Sequence, residues 1–517
     1  MYALIGAAAV VALWWILAVT VFAENNLVPT PAEVLRQYRH DGWDFYWRNA
    51  KATIEPALIG YGWGNGLAIV CACLIILVPA LELGILRLAI ATYCLPIISI
   101  GPILVILMTG NGPRIVLAAL SCFFVTLIGV LLGLRSADAT SLELVQGFGG
   151  NRWAQLAYVR SRAALPSLFA ALRIAAPYAL LGVMVGEYLG AERGLGVAML
   201  SAQRTLQVER VWAIAFVASA VAGIGYLLAT LASRALVRWP APTISIASST
   251  QRVLRGAGGR KLARPVATTL VSFGVLLLIW ELTLRATGLD PFIAKGPADV
   301  WHWLVGDPAA GENRSILFDS LGKTLLHAGV GYVVGLGAAL ALASAFVLAP
   351  VLERSLLPVA ITLQTIPLVA MVPLIAIVFG RGLAGVAVVC GMVTFFPTLV
   401  YVSVAMRATS PAVLLLFRAY HASKTAAFAK AILPTSVPAL FASARIAAPA
   451  AMFGALLSEW LVTGDGLGYL MLQGGVTGKY VVVWAATALI TLVSIAWYAL
   501  VATAERRAVA RFSMQAG

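Results

Sequence analysis

Pro166-Ser-Leu-Phe-Ala-Ala-Leu-Arg-Ile-Ala-Ala-Pro177 and Pro438-Ala-Leu-Phe-Ala-Ser-Ala-Arg-Ile-Ala-Ala-Pro449 agree at nine of twelve positions. They lie 272 residues apart, and the same offset carries Glu187 onto Glu459 and Gly194-Leu195-Gly196 onto Gly466-Leu467-Gly468. Upstream the offset is 271, aligning Gly60-Tyr61 with Gly331-Tyr332, Pro96 with Pro367 and Pro102 with Pro373. Pro31-Ala-Glu-Val34 likewise corresponds to Pro297-Ala-Asp-Val300. Self-similarity sustained over this length is a tandem duplication.

The repeated unit is built for lipid. Of 517 residues, 61% are hydrophobic and only 11% charged, with a mean hydropathy of +0.93. A soluble domain is about 25% charged, and about 20 apolar helical residues cross a bilayer core. Apolar runs predict spans near 1–22, 53–79, 86–108, 113–134, 165–189 and 211–236. A second six follow near 265–287, 324–349, 355–379, 383–406, 437–461 and 480–503. The first run lacks a basic start and is long for a signal peptide, so it reads as a retained span. The reading is an all-α polytopic membrane protein with twelve transmembrane helices in two domains, 1–239 and 265–517. Residues 240–264, rich in Ser, Gly and Arg, form a basic linker between them.

Six helices per repeat give both halves one orientation, hence parallel repeats about an axis along the membrane normal. With both termini on the cytosolic side of a plasma (bacterial inner) membrane, the whole formal charge of +15 falls on that face. Basic residues concentrate there as a topological signal, so the pI near 9.9 does not argue for nucleic acid.

Catalytic chemistry is missing from the pattern. Cys71, Cys73, Cys94, Cys122 and Cys390 sit in apolar runs, and the four histidines are scattered, so no metal-ligand spacing is present. Gly322-Lys323-Thr324 has Leu317 where a phosphate-binding loop needs its first glycine. The chain therefore has no means of hydrolysing a nucleotide itself.

Two long loops on the cytosolic face are helix-compatible, one within Leu142–Ala164 and one within Leu414–Thr435. Each reads either as a surface helix on the headgroups or as a docking element. Glu143-Leu-Val-Gln-Gly-Phe-Gly149, followed by Asn151-Arg152-Trp153, resembles the EAA loop of binding-protein-dependent ABC importer permeases. The second copy keeps Ile432-Leu433-Pro434 but has Leu415 and His421 at the glutamate and glycine positions. Leu27-Val-Pro-Thr-Pro-Ala-Glu-Val-Leu35, and Ile366-Pro-Leu-Val-Ala-Met-Val-Pro-Leu374 with Phe379-Gly380, are similar to segments of the nitrate/sulfonate/taurine class. Arg-Ile-Ala-Ala-Pro with Gly-Leu-Gly also resembles permeases for thiamine-pyrimidine and flavin precursors. The resemblance implies type I importer transmembrane domains, here two in one chain, passing a small polar nutrient inward. It implies an extracytoplasmic substrate-binding protein and two ATPase subunits, which would bind the ATP and Mg²⁺; no cofactor is expected in this chain. The coupling residues it implies are Glu143, Gly149 and Arg152 in the first loop, and Tyr420, His421, Lys424 and Pro434 in the second.

Ionisable groups within spans are functional hypotheses by default. Arg173 and Arg445 could attract an anion from facing positions or bond within their own bundles. Glu187 and Glu459, toward the outer mouth, could gate or contact substrate. Pro102 and Pro373, with Pro96 and Pro367, are expected to kink or break spans that border the path. Gly60-x-Gly62-x-Gly64-x-Gly66 and Gly329-x-Gly331…Gly335-x-Gly337 predict close helix packing. The other class that uses two parallel six-helix repeats, a secondary transporter, would carry a coupling acid at mid-depth; the acids here lie toward the outer ends.

Overall fold

The computed structural model describes residues 2–23, 28–237, 274–278, 280–286, 288–363 and 368–513, all in helices and connections without strands. The linker at 240–264 lies outside the described residues, as does the start of the span expected at 265–287. In the first half, α1 (Tyr2–Thr20) and α2 (Pro31–Asp41) lead into α3 (Trp43–Leu77), α4 (Glu82–Cys94), α5 (Ile97–Leu107) and α6 (Gly112–Arg135). There follow α7 (Ala139–Gly147), α8 (Arg152–Tyr188), α9 (Leu195–Arg204) and α10 (Val208–Leu236). The second half repeats α3 to α10 as α11 (Ala310–Leu348), α12 (Pro350–Leu363), α13 (Leu368–Phe379) and α14 (Leu383–Arg407), then α15 (Pro411–Ala419), α16 (Lys424–Thr463), α17 (Gly466–Val476) and α18 (Tyr480–Ser513).

Eight of these helices are long and apolar enough to cross a membrane. The span expected at 86–108 is broken: α4 and α5 meet at 92°. Pro96 is the reason. The residue before a proline is pushed out of the helical region, and Leu95 adopts φ −71°, ψ 111°. Pro102 and Pro373 instead stay inside α5 and α13, so the break belongs to the earlier proline.

Glycine lets the long helices touch. A Cβ on Gly60 would lie 2.5 Å from Ala118 Cβ and 2.6 Å from Ile115 O. On Gly331, its repeat partner, a Cβ would lie 2.1 Å from Cys390 Cβ. Lipid gives no hydrophobic drive between helices, so this backbone approach supplies the van der Waals packing that does. Gly62, Gly66, Gly329 and Gly337 face open space and carry no such role. Beside the packed glycines, Tyr61 and Tyr332 donate to Leu172 O (3.0 Å) and Ala444 O (2.9 Å), at the same offset.

The halves interlock through hydroxyl donors. Tyr93 donates to Ile446 O (2.7 Å), Tyr188 to Val369 O (2.9 Å) and Thr487 to Ser99 O (2.9 Å). Helix α1 packs on α12 of the opposite half while Trp14 stacks on Trp212 of its own, with centroids 5.7 Å apart. One core of buried residues runs through both halves.

Candidate coupling loops, carboxylate clasps and central cavity

The two loops share one backbone. Helix α7 ends where Gly149 N–H donates to Gln146 O (2.9 Å) and Gly150 N–H to Val145 O (2.8 Å). Helix α15 ends with His421 N–H to Arg418 O (2.9 Å) and Ala422 N–H to Phe417 O (2.9 Å). The turn residue is left-handed in both, φ +78° at Gly149 and +52° at His421. This helix ending favours glycine because a Cβ crowds the following carbonyl; His421 accepts that crowding. The next helices start on matched caps, Asn151 accepting from Ala154 N–H (3.0 Å) and Ser423 from Ala426 N–H (3.1 Å). Both then pass through one π turn, Leu156–Arg160 and Phe428–Ile432. The tips project large apolar groups into the open: Phe148 is 85% exposed and Tyr420, its repeat partner, 79%. Glu143 and Lys424 are exposed, Pro434 is half-buried within α16, and Arg152 donates to Leu77 O (3.2 Å) at the end of α3.

At the opposite end of α8 and α16, each half buries one carboxylate. Glu187 accepts from Thr53 Oγ1 (2.7 Å) and Gly196 N–H (2.7 Å), and Thr53 in turn accepts from Leu195 N–H (2.9 Å). Glu459 accepts from Thr324 Oγ1 and Gly468 N–H, both at 2.9 Å, and Thr324 accepts from Leu467 N–H (2.9 Å). Each clasp thus ties a long helix to the start of the helix after it, satisfying amides that a helix N-terminus leaves open. Gly194 and Gly466 are required: both have positive φ, and a Cβ would sit 2.2 Å and 2.3 Å from the carboxyl carbon. The second clasp has one more member. His327 Nδ1 lies 2.9 Å from Glu459 Oε1, and the repeat puts Pro56 at the matching place. Sequence reading picked out both glutamates but missed Thr53, Thr324 and His327; the threonines keep the offset of 271 and could have been found by it.

The arginines are separated. Arg445 is 4% exposed, with Nε 3.2 Å from Glu505 Oε2 and its guanidinium 5.5 Å from the Tyr498 ring. Arg173 is half-buried, and no described residue forms an ion pair with it. Glu505 corresponds to Ser233, which explains the difference.

Between the halves lies an open cavity. Pro96 and Ile97, at the bend of α4 and α5, line it, as do the repeat pairs Phe124/Phe396 and Pro177/Pro449. Neither arginine, neither clasp glutamate, nor Pro102 or Pro373 is among the lining residues.

Outside the spans, α2 is fixed by a cluster that the sequence did not announce. Asp41, its side chain 1% exposed, accepts from Arg210 Nε (3.0 Å) and Tyr46 Oη (2.7 Å). Burial pushes its carboxyl up, but hydrogen bonds from Arg210, Gln37, Tyr46 and His40 outweigh this and hold it well below the usual carboxylate range. Burial pushes the nearby Tyr38 hydroxyl up to about 12.

Known proteins similar to this chain in sequence are named as transport permeases. A probable ABC transporter permease protein of Haemophilus influenzae is 28% identical over 229 residues, 44% of this chain and 91% of its own length. A formylaminopyrimidine transport permease of Halalkalibacterium halodurans is 28% identical over 197 residues, covering 38% of this chain and 76% of the relative. The riboflavin transport system permease of Chloroflexus aurantiacus is 28% identical over 218 residues, 42% and 81% respectively. Each relative thus matches less than half of this chain. The family model for the binding-protein-dependent transport system inner membrane component accounts for this by matching twice, at residues 64–246 and 331–509. A duplicated, lipid-embedded helical chain with two matched loops therefore belongs to that family, and carries two of its permease units in a single polypeptide.

Proposed function

We propose that this chain forms the whole translocation pathway of an ATP-driven importer, with both termini in the cytosol. The observation that carries the reading is the doubled loop: two exposed helix–turn–helix tips with one backbone geometry, one on each half. A pair of motor subunits has two equivalent contact points to offer, and this chain meets both. Exposed Phe148 and Tyr420 act as the apolar anchors of docking, since large aromatic side chains dominate interface energetics. Glu143, Gly149 and Arg152, and Tyr420, His421, Lys424 and Pro434, shape the two contact sites. The ATPase subunits supply ATP and Mg²⁺, so this chain needs neither.

Closure of the motors moves the loops, and α8 and α16 carry the displacement rigidly across the membrane to the clasps at Glu187 and Glu459. A binding protein delivers a small polar nutrient to that outer end. Two relatives are named for formylaminopyrimidine and riboflavin transport, which supports pyrimidines and flavins as candidates beside the sulfonates and nitrate of the wider class. Proteoliposomes with ATP trapped in the lumen test the reading. Uptake should require the ATPase subunits and hydrolysis, with one copy of this chain per pair of ATPases. Uptake driven by an ion gradient without ATP, or two copies per pair, would overturn it.

A further inference from the structure

The cavity between the halves has a lining that selects a ligand chemistry. Its two sides are related by the repeat, with Leu120, Phe124 and Val125 facing Met392, Phe396 and Pro397. Aromatic rings recur around it. Tyr93 stacks on Phe124, centroids 4.3 Å apart and planes 22° apart, while Phe396 and Phe453 come from the other half. No charged side chain is among the described lining residues.

The polar groups are few and lie on one side, and all but the Tyr178 hydroxyl are already committed as donors. Thr92 Oγ1 donates to Leu88 O (2.9 Å), Ser121 Oγ to Leu117 O (2.7 Å) and Tyr93 Oη to Ile446 O (2.7 Å). A hydroxyl has one proton and two lone pairs. With the proton used on a backbone carbonyl, what each can still offer is an acceptor. All three belong to the first half; the second half contributes Val393 and Ala450 where the first has Ser121 and Tyr178.

Oxyanions need the reverse, positive charge or several converging N–H and O–H donors, whereas the described lining holds no cation and only the Tyr178 hydroxyl as a donor not already used. Arg445, the buried cation closest to this role by sequence, is paired with Glu505 and does not line the cavity. Flat π surfaces and acceptors instead suit a ring that stacks and donates. We infer that the cavity receives an uncharged, planar heteroaromatic ring bearing N–H donors, such as an aminopyrimidine or a flavin, and rejects nitrate and sulfonates. The asymmetry of the acceptors sets the ring's orientation, its N–H edge toward Thr92, Tyr93 and Ser121. This inference deepens the importer reading and rests on it.

The test is binding to the complete complex in nanodiscs, without ATP. Riboflavin is the probe, its fluorescence quenched by stacking, and cytosine, nitrate and ethanesulfonate are the competitors. Riboflavin should bind, cytosine should displace it, and neither anion should do so at the same concentration. Phe124→Ala with Phe396→Ala should weaken binding by about tenfold or more, since stacking on aromatic side chains dominates such contacts. Ser121→Ala, milder and retaining the walls, should weaken it about three- to tenfold, the loss of one hydrogen bond. Displacement by either anion, or unchanged affinity in a monodisperse Phe124/Phe396 double variant, would overturn the inference. ATP-driven uptake separates the two claims. Ring binding without ATP-driven uptake of any solute would sink the importer and keep the cavity assignment. ATP-driven uptake of ethanesulfonate, with no ring bound, would do the opposite.

Discussion

The two carboxylate clasps are the same device in different company. Thr53–Glu187–Gly196 and Thr324–Glu459–Gly468 superpose in sequence offset and in hydrogen-bond pattern, yet only the second contains an imidazole, His327. The loops at the other end differ in the same spirit, with Gly149 against His421 at one left-handed turn. Duplication preserves backbone geometry because helix packing and capping demand it. Side chains that only modify that geometry are free to diverge, so the halves become mechanically equivalent and chemically unequal.

The largest expected effect falls on the clasps. Removing a member of a buried polar network leaves the others unsatisfied, at about 3–5 kcal/mol when a charged pair is broken and about 1–3 kcal/mol for a single neutral group. Glu459→Ala strands His327, Thr324 and the Gly468 amide, and should therefore cost more than Glu187→Ala, which strands Thr53 and the Gly196 amide. Thermal midpoints followed by size-exclusion fluorescence decide this; equal shifts would erase the asymmetry. Glu459→Gln, which keeps an acceptor, should recover part of the loss.

Next come the arginines. Arg445→Gln removes the guanidinium from beside buried Glu505 and should be the more destabilising of the two, whereas Arg173→Gln, with no ion pair among the described residues to lose, should stay within about 0.5 kcal/mol. Unchanged stability but weakened transport in Arg173→Gln would instead mark it as a contact of the path.

The loops should show a smaller, kinetic difference. Gly149→Trp places a β-carbon and a large ring in a left-handed turn at the tip proposed to dock an ATPase subunit. Uptake should fall on the order of tenfold, about 1.4 kcal/mol in the coupled step, while ATP hydrolysis continues. His421→Gly relieves the same strain and removes bulk, so uptake should change by less than about twofold. Intact transport in Gly149→Trp would show that this loop does not transmit the motors' closure.

The smallest effect concerns the end of the first half remote from the loops, where Asp41 holds α2 and Val482 stands at the repeat position of Arg210. Asp41 ionises more readily in the folded chain than in the unfolded one, where carboxyls titrate near about 4. Its contribution is complete above that value and is lost as pH falls from there toward the depressed folded value. Amide exchange in 31–46 should rise with acid, and Asp41→Asn should abolish that pH dependence. A protection pattern that does not move with pH would remove Asp41 as the anchor.

Much of this molecule was legible from spacing alone. The offsets of 271 and 272 predict two parallel halves, and both ends of α6 and α7 and the start of α10 fall where those offsets put them. Gly60 and Gly331 follow from the small-residue rule, as does a disturbance near Pro96. Span 86–108 nevertheless reads as continuous by hydropathy, because a transfer scale sums composition and is blind to direction. Its 92° bend is a backbone event at one residue.

What the sequence by itself determined is periodic and local: lipid solubility, the duplication and the turn at Gly149. These depend on residues adjacent along the chain or on the chain compared with itself. Only the tertiary structure decided that Glu187 meets Thr53, Glu459 meets His327 and Arg445 meets Glu505. It alone decided that Tyr93, Phe124 and Phe396 line one cavity. Those contacts join residues up to hundreds of positions apart, set by the angle at which helices cross. Crossing angles arise from the sum of many weak packing contacts, and no single stretch of sequence contains that sum.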